Sequence, residues 1–313
     1  MKYRKYLSNG IKCSELGFGA WQLGINSGWK SVSEKESFEM IKLALDNGIN
    51  FFDTAPNYGC GTSELRLGKV FKTLDRSKII INTKFGRLDN GVVDFDSKHI
   101  KISVEKSLRR LNVDYLDSVI IHSPPKALLD GNKNDHYEIL EKLIDEGKII
   151  SYGASIDFYD EIKLLLETTN AKVLQCFFNI LHQDVIKAFG LVKEKKASII
   201  AKIPFDSGWL TGKYNSKSKF KGVRSRWNEN DKSLRSQLIE DVKNIIQNKY
   251  KLTSAALTFC TSFDEVSTVI PGVISKEQIL DNIEAFNTPI DFNTRLQLEK
   301  FYESCVKNLN LPW

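Results

Sequence analysis

No apolar run in this 313-residue chain approaches the ~20 residues needed to span a bilayer. The first residues, Met1-Lys-Tyr-Arg-Lys-Tyr6, lack the apolar stretch of a signal peptide. Cysteine is scarce: Cys13, Cys60, Cys176, Cys260 and Cys305 are odd in number, widely spaced and free of any Cys-x-x-Cys. That argues against a disulfide scaffold or a zinc site and for reduced thiols. No basic stripe with interleaved aromatics occurs, so the net charge of +6 is not a nucleic-acid footprint. The dispersed lysines suit an anionic cofactor or substrate, and they equally suit a solvated surface. The dinucleotide fingerprint Gly-x-Gly-x-x-Gly is missing as well, because Gly17-Phe-Gly19 runs on into Ala20-Trp21-Gln22. These absences lead us to expect a soluble cytoplasmic protein with no metal, no membrane and no nucleic-acid partner.

What is present is a long alternation. The composition is 42% hydrophobic, enough for a large core. Residues 3–14 read as a hairpin around Ser8-Asn9-Gly10. Apolar strand runs follow at 16–19, 49–52, 78–83, 116–121, 149–154, 173–177, 198–203 and 266–270. Amphipathic helices separate them at 33–47, 63–72, 97–111, 135–146, 159–168, 184–195, 233–248, 254–262 and 275–286, with a last one at 292–308. Ser33 with Glu36 makes a capping box, and Gly48 and Gly147 sit at helix ends. The strands are near-continuous apolar runs, as when both faces are covered. Eight such units predict an α/β fold, a single (β/α)8 TIM barrel over residues 1–313 with an N-terminal hairpin lid and extra C-terminal helices. The connection from Phe205 to Asp231 reads as a long polar loop.

Barrel strands converge at their C-terminal ends. Asp53, Lys84 and His122 follow the second, third and fourth strands, and Tyr58 lies on the loop after the second. A lysine beside Ile79-Ile-Ile-Asn-Thr83 is poorly solvated and needs a counter-charge, which Asp53 can supply. The ammonium is then expected to lower the pKa of the Tyr58 phenol from ~10, tuning it as a general acid. His122 can hydrogen-bond a substrate oxygen. Each residue also has an ordinary reading: a turn opener, a rim aromatic, a snorkelling lysine, a satisfied buried histidine. Their order at successive strand ends favours chemistry.

On these residues the chain resembles the aldo-keto reductase superfamily over nearly its whole length. The motifs are Gly17-Phe-Gly-Ala-Trp21, Phe52-Asp-Thr-Ala-Pro-Asn-Tyr-Gly59, Ser63-Glu-x-x-Leu-Gly68 and Thr83-Lys-Phe-Gly86. They continue through Ser107–Asp117, Gly147–Ser155, Gly208–Tyr214 and Val269-Ile-Pro-Gly272. The resemblance places the family's catalytic tetrad on Asp53, Tyr58, Lys84 and His122. It implies hydride transfer from a nicotinamide to a small-molecule carbonyl, with Tyr58 giving the proton. It also implies cofactor positions. Ser155 and Gln175 would hold the carboxamide, with Ile156 where Asn is common and Asp157 as a substitute. Pro204, Phe205, Ser207, Gly208 and Leu210 would fold over the pyrophosphate. Gly272, Lys276, Gln278 and Asn282 would form the adenosine site, with Lys276 as the cation nearest a 2′-phosphate. NADPH is the expected cofactor and NADH the alternative.

The substrate wall is expected from Trp21, Tyr58 and His122, with Trp29, Trp227 and Trp313 as further aromatics. Arg224 and Arg226 read as a solvated charge run. A monomer or weak homo-oligomer is expected. Two rivals remain: a nicotinamide-binding regulatory subunit like the potassium channel β-subunits, and a lyase using Lys84 as a Schiff-base amine.

Overall fold

A computed structural model describes residues 1–7, 10–24 and 32–312, with only the backbone described at Val223. The expectations on Ser8-Asn9, Trp29 and Trp313 lie outside the described residues.

Strands β1 (Tyr3–Lys5) and β2 (Lys12–Ser14) pair antiparallel, Arg4 opposite Cys13, so the expected hairpin is present. Eight parallel strands follow: β3 (Phe18–Gly19), β4 (Phe51–Asp53), β5 (Ile80–Phe85), β6 (Leu116–Ile121), β7 (Ile149–Ser155), β8 (Val173–Phe177), β9 (Ser198–Lys202) and β10 (Val266–Ile270). Each pairs with the next in chain order. Parallel bridges from Leu16 to Val269 and from Gly19 to Gly272 bring β3 against β10, so the sheet closes into a barrel.

The helices are α1 (Trp21–Gly24), α2 (Glu34–Asp46), α3 (Thr62–Phe71), α4 (Ile100–Leu111), α5 (His136–Asp145), α6 (Tyr159–Thr168), α7 (Phe189–Glu194), α8 (Glu229–Ile246), α9 (Leu252–Thr261), α10 (Lys276–Ala285) and α11 (Phe292–Phe301). The capping box at Ser33 and Glu36 starts α2 as expected. Helix α8 begins four residues earlier than its apolar pattern, because Asn228 and Asp231 form a second capping box. Residues 184–188 form a 3₁₀ turn before α7, and Tyr302–Val306 form a π-helical turn after α11. Among the described residues no helix is long and apolar enough to cross a membrane.

Two apolar clusters result. The larger lies between sheet and helices, where Ile121, Leu140, Leu174 and Leu257 are all fully buried. The smaller fills the lumen with Phe51, Ile80, Ile120, Val173, Ile200 and Ile270, and Tyr6 and Leu7 of the hairpin plug its base. The hairpin is thus a stopper at the end of the barrel opposite the strand C-termini.

The 205–231 connection differs from a polar loop. Trp209, Tyr214, Phe220 and Trp227 form an aromatic cluster with neighbouring ring centres 4.9–6.0 Å apart, mostly edge to face, and Trp209 is fully buried. Trp227 therefore belongs to this cluster, and its indole donates to the Pro312 carbonyl at 3.0 Å. Arg224 is half-buried and lies 5.5 Å over Tyr214, so it departs from a solvated run, whereas Arg226 is exposed and lies 4.5 Å over the Trp227 ring.

Candidate active site

Alternate residues of a strand face the same side. On β5 that rule sends Ile80, Asn82 and Lys84 into the lumen, and on β4 it sends Phe51 and Asp53. Lys84 is an interior strand residue, one position before the end of β5 rather than beyond it. Its ammonium donates to both Asp53 carboxylate oxygens at 2.9 Å and to the Thr54 carbonyl at 2.8 Å. Asn82 and Gln175 also donate to Asp53 Oδ1, at 2.7 and 2.6 Å. Both charges are buried, and each is paired and hydrogen-bonded, as burial requires.

Tyr58 sits on the turn after β4. That turn presses on α1 so closely that a Cβ on Gly59, at φ +61°, would fall 1.6 Å from the Gly24 carbonyl oxygen. The contact brings the Tyr58 ring 6.5 Å from Trp21 and edge-on to His122 at 5.9 Å. The Lys84 ammonium lies 4.9 Å from the Tyr58 ring centre. The structure therefore gathers Asp53, Tyr58, Lys84, His122 and Trp21 around one mouth.

Burial is the largest influence on Lys84 and pulls its pKa down, but Asp53 and Tyr58 outweigh it and the net shift is upward. Lys84 is an ammonium. Burial also dominates at Tyr58 and raises its pKa, with Lys84 opposing. The expected net lowering is thus corrected: the cation acts in the expected direction, and desolvation is stronger. Burial, then Lys84, Arg87 and Lys202, push His122 well below the usual imidazole range, so the ring is neutral. Its Nδ1 is buried with no partner.

Ser155 ends β7 and is buried, but it is not free. Lys202, at the end of β9, donates to its hydroxyl at 2.9 Å and pairs with Asp157 at 3.0 Å. Asp157 also accepts from the Phe177 amide at 2.8 Å, so it is committed to local structure. In the loop after β9, Ile203, Asp206 and Ser207 have φ of 58°, 46° and 55°, followed by Gly208 at 103°. Such runs of positive φ turn amides towards one concavity. Buried Asp206 is locked to buried Arg235, and His182 stands 3.5 Å away. Pro204 and Leu210 are buried, while Phe205, Ser207 and Gly208 reach the surface in part. At the far end, Gly272 is exposed and Lys276 pairs with Glu39 at 2.9 Å. Gln278 accepts from the Ile274 amide, and Asn282 is buried beside Leu16 and Val273.

The model of the Aldo/keto reductase family matches residues 15–303. The chain belongs to that family. L-galactose dehydrogenase of Arabidopsis thaliana is 30% identical over 316 residues, 97% of this chain and 95% of that protein. A probable voltage-gated potassium channel subunit beta of the same plant is 29% identical, over 96% and 95%. The holo form of an aldo-keto reductase from Bacillus halodurans superposes with a TM-score of 0.83 at 27% identity over the whole of both chains. As an aldo-keto reductase, the chain is of a class that oxidises and reduces carbonyl compounds with a nicotinamide cofactor.

The donor set fits a carboxamide. Ser155 accepts from Lys202 and keeps its own proton to donate; Gln175 gives an amide proton to Asp53 and keeps its oxygen to accept. One donor and one acceptor are what a carboxamide needs. Two polar groups at this mouth, Lys202 and Arg87, are absent from the sequence expectations, which give Asn82 no role of its own. Asn82 and Lys202 share strand faces with Lys84 and Ile200, a period-two signal that was readable.

Proposed function

We propose that the chain reduces an aldehyde, ketone or sugar carbonyl to the alcohol, with Tyr58 as proton donor and NADPH or NADH as co-substrate. One observation carries this reading: the Lys84 ammonium, neutralised by Asp53, lies beneath the Tyr58 ring and beside a neutral His122.

A bound reduced nicotinamide supplies hydride to the carbonyl carbon. The remaining work falls to side chains. Burial keeps the Tyr58 phenol protonated, and the ammonium stabilises the phenolate left when the proton moves to the carbonyl oxygen. His122 donates one N–H to that oxygen and orients it. Trp21 supplies an apolar wall. Ser155 and Gln175 hold the carboxamide, the 204–210 loop covers the pyrophosphate, and Gly272, Lys276, Gln278 and Asn282 meet the adenosine end. Lys276 favours a 2′-phosphate, and its partner Glu39 competes for the same cation, so both nucleotides are accepted. We read the protein as one cytoplasmic domain acting as a monomer or weak homo-oligomer.

The raised pKa of Lys84 and its three acceptors oppose a Schiff-base role, which needs the free amine. A regulatory nicotinamide-binding role draws support from the potassium channel β-subunit relative. Turnover decides between them. Steady reduction of 4-nitrobenzaldehyde with NADPH or NADH, lost in Tyr58→Phe, is expected; tight nucleotide binding without turnover of any carbonyl would refute the enzymatic reading.

A further inference from the structure

Below the mouth, a line of hydrogen bonds runs down through the apolar cluster of the lumen. Tyr6 Oη and Ser118 Oγ are 2.6 Å apart. Ser118 donates to Asn82 Oδ1 at 2.6 Å, and Asn82 Nδ2 donates to Asp53 Oδ1 at 2.7 Å. Tyr6, Asn82 and Ser118 are all at 0% exposure, so no solvent competes along the line. The strand register builds it: Asp53 stands opposite Asn82, and Asn82 opposite Ser118. Tyr6 enters from the hairpin stopper and packs edge-on against Phe51 at 5.2 Å.

Chemistry fixes the direction of every proton. The Asp53 carboxylate can only accept, so Asn82 must turn its amide nitrogen upward. Its oxygen then faces Ser118, which must spend its single proton there. Ser118 is left as an acceptor, so Tyr6 must donate. Burial holds the Tyr6 phenol far above its ordinary pKa, which keeps that proton in place.

We propose that Tyr6, Ser118 and Asn82 are positioning residues: a one-way hydrogen-bonded line from the hairpin to Asp53 that fixes the carboxylate and, through it, the Lys84 ammonium. The inference rests on the catalytic role given above to Lys84 and Tyr58. Without the line, Asn82 can flip and point an oxygen at Asp53, loosening the hold on Lys84. A half-satisfied buried network is worse than none. The charged and titratable groups around it are Lys84 and Tyr58 at the upper end, with His122, Arg87 and Lys202 farther round the mouth. At the lower end Tyr6 faces Cys13 and Asp117.

The test uses the full chain carrying Tyr6→Phe, Ser118→Ala, Ser118→Thr or Asn82→Asp. For each we would measure kcat/KM against pH with 4-nitrobenzaldehyde, nucleotide affinity by tryptophan quenching, and unfolding in urea against pH. Tyr6→Phe and Ser118→Ala should lower kcat by roughly three- to tenfold, the size of one net hydrogen bond. They should move the alkaline limb upward and leave nucleotide affinity unchanged, while Ser118→Thr keeps the hydroxyl and the wild-type profile. Asn82→Asp is the sharper probe. Between a donor and a carboxylate, a carboxyl at position 82 can bridge only when protonated. Its activity should therefore fall as pH rises, at a pH well below the wild-type limb. Its folded state should also hold a proton that the unfolded chain has lost, so its stability should drop relative to wild type as pH rises.

Wild-type pH profiles in Tyr6→Phe and Ser118→Ala, with only reduced stability, would overturn the proposal. If Asn82→Asp does not fold, those two variants decide. If the wild type reduces no carbonyl, the proposed function fails and the unfolding titration alone decides. A pH-dependent loss in Asn82→Asp that Tyr6→Phe alters supports the line, and a pH-independent one refutes it.

Discussion

Lys84 and Asp53 meet in a forked contact, the ammonium 2.9 Å from each carboxylate oxygen, with both side chains buried. Removing one member strands the other. Lys84→Met should destabilise the fold by about 3–5 kcal/mol, because Asp53 would stay buried without its cation. Asp53→Asn combined with Lys84→Met should recover much of that loss. Urea unfolding of the single and double variants checks it, and additive losses would contradict the coupling.

Tyr58→Phe removes only the phenol oxygen. We expect reduction to fall by about 10²–10⁴-fold, the usual worth of a positioned acid, with nucleotide affinity nearly unchanged. Steady-state kinetics and fluorescence titration with NADPH and NADH measure both at once. Retained turnover would refute the assignment of Tyr58 as the acid.

The pH dependence follows from two shifts of opposite sign. The proposed reduction needs Tyr58 protonated, and burial raises its pKa, so activity should hold through neutral pH and fall only beyond the ordinary phenol value of ~10. His122 is pushed well below its usual range, so no limb should appear near pH ~6.5. A limb there would show that His122 titrates in the working range.

Glu39 and Lys276 are both exposed and pair at 2.9 Å. Glu39→Gln frees the cation and removes a charge that repels phosphate. The ratio of NADPH to NADH affinity should rise by roughly two- to fivefold, the scale of an exposed pair. Paired fluorescence titrations check this; an unchanged ratio would place the 2′-phosphate elsewhere.

Arg235 is fully buried against Asp206 and also donates to the Pro312 carbonyl at 2.7 Å. Arg235→Met should cost about 3–5 kcal/mol by stranding Asp206. Urea unfolding measures it, and a neutral outcome would mean that Asp206 takes up a proton instead.

Much of this was readable in one dimension. Leu116–Ile121, Val173–Phe177 and Val266–Ile270 are largely apolar runs, and the limits expected for them coincide with the strands. The start of α8 escaped the apolar pattern because Asn228 and Asp231, not apolar spacing, set it. At the mouth, the meeting of Lys84 with Asp53 follows from strand order alone. The sign of the Tyr58 shift does not, since it depends on how deeply the ring is buried. Nor could the sequence show that Lys202 holds Ser155, because that contact joins residues 47 apart. Arg224 looked solvated because its ring partners, Tyr214 and Phe220, are separated from it along the chain.

The ring of staves closes only where Leu16 meets Val269 and Gly19 meets Gly272. A ribosome must therefore deliver nearly the entire polypeptide before the first stave finds its second neighbour. Until then the β3 edge around Phe18 stays unpaired on one side, and such long-range closure is slow and exposes sticky edges. Shortening the chain ahead of Val269 should yield an aggregating fragment rather than a smaller working enzyme.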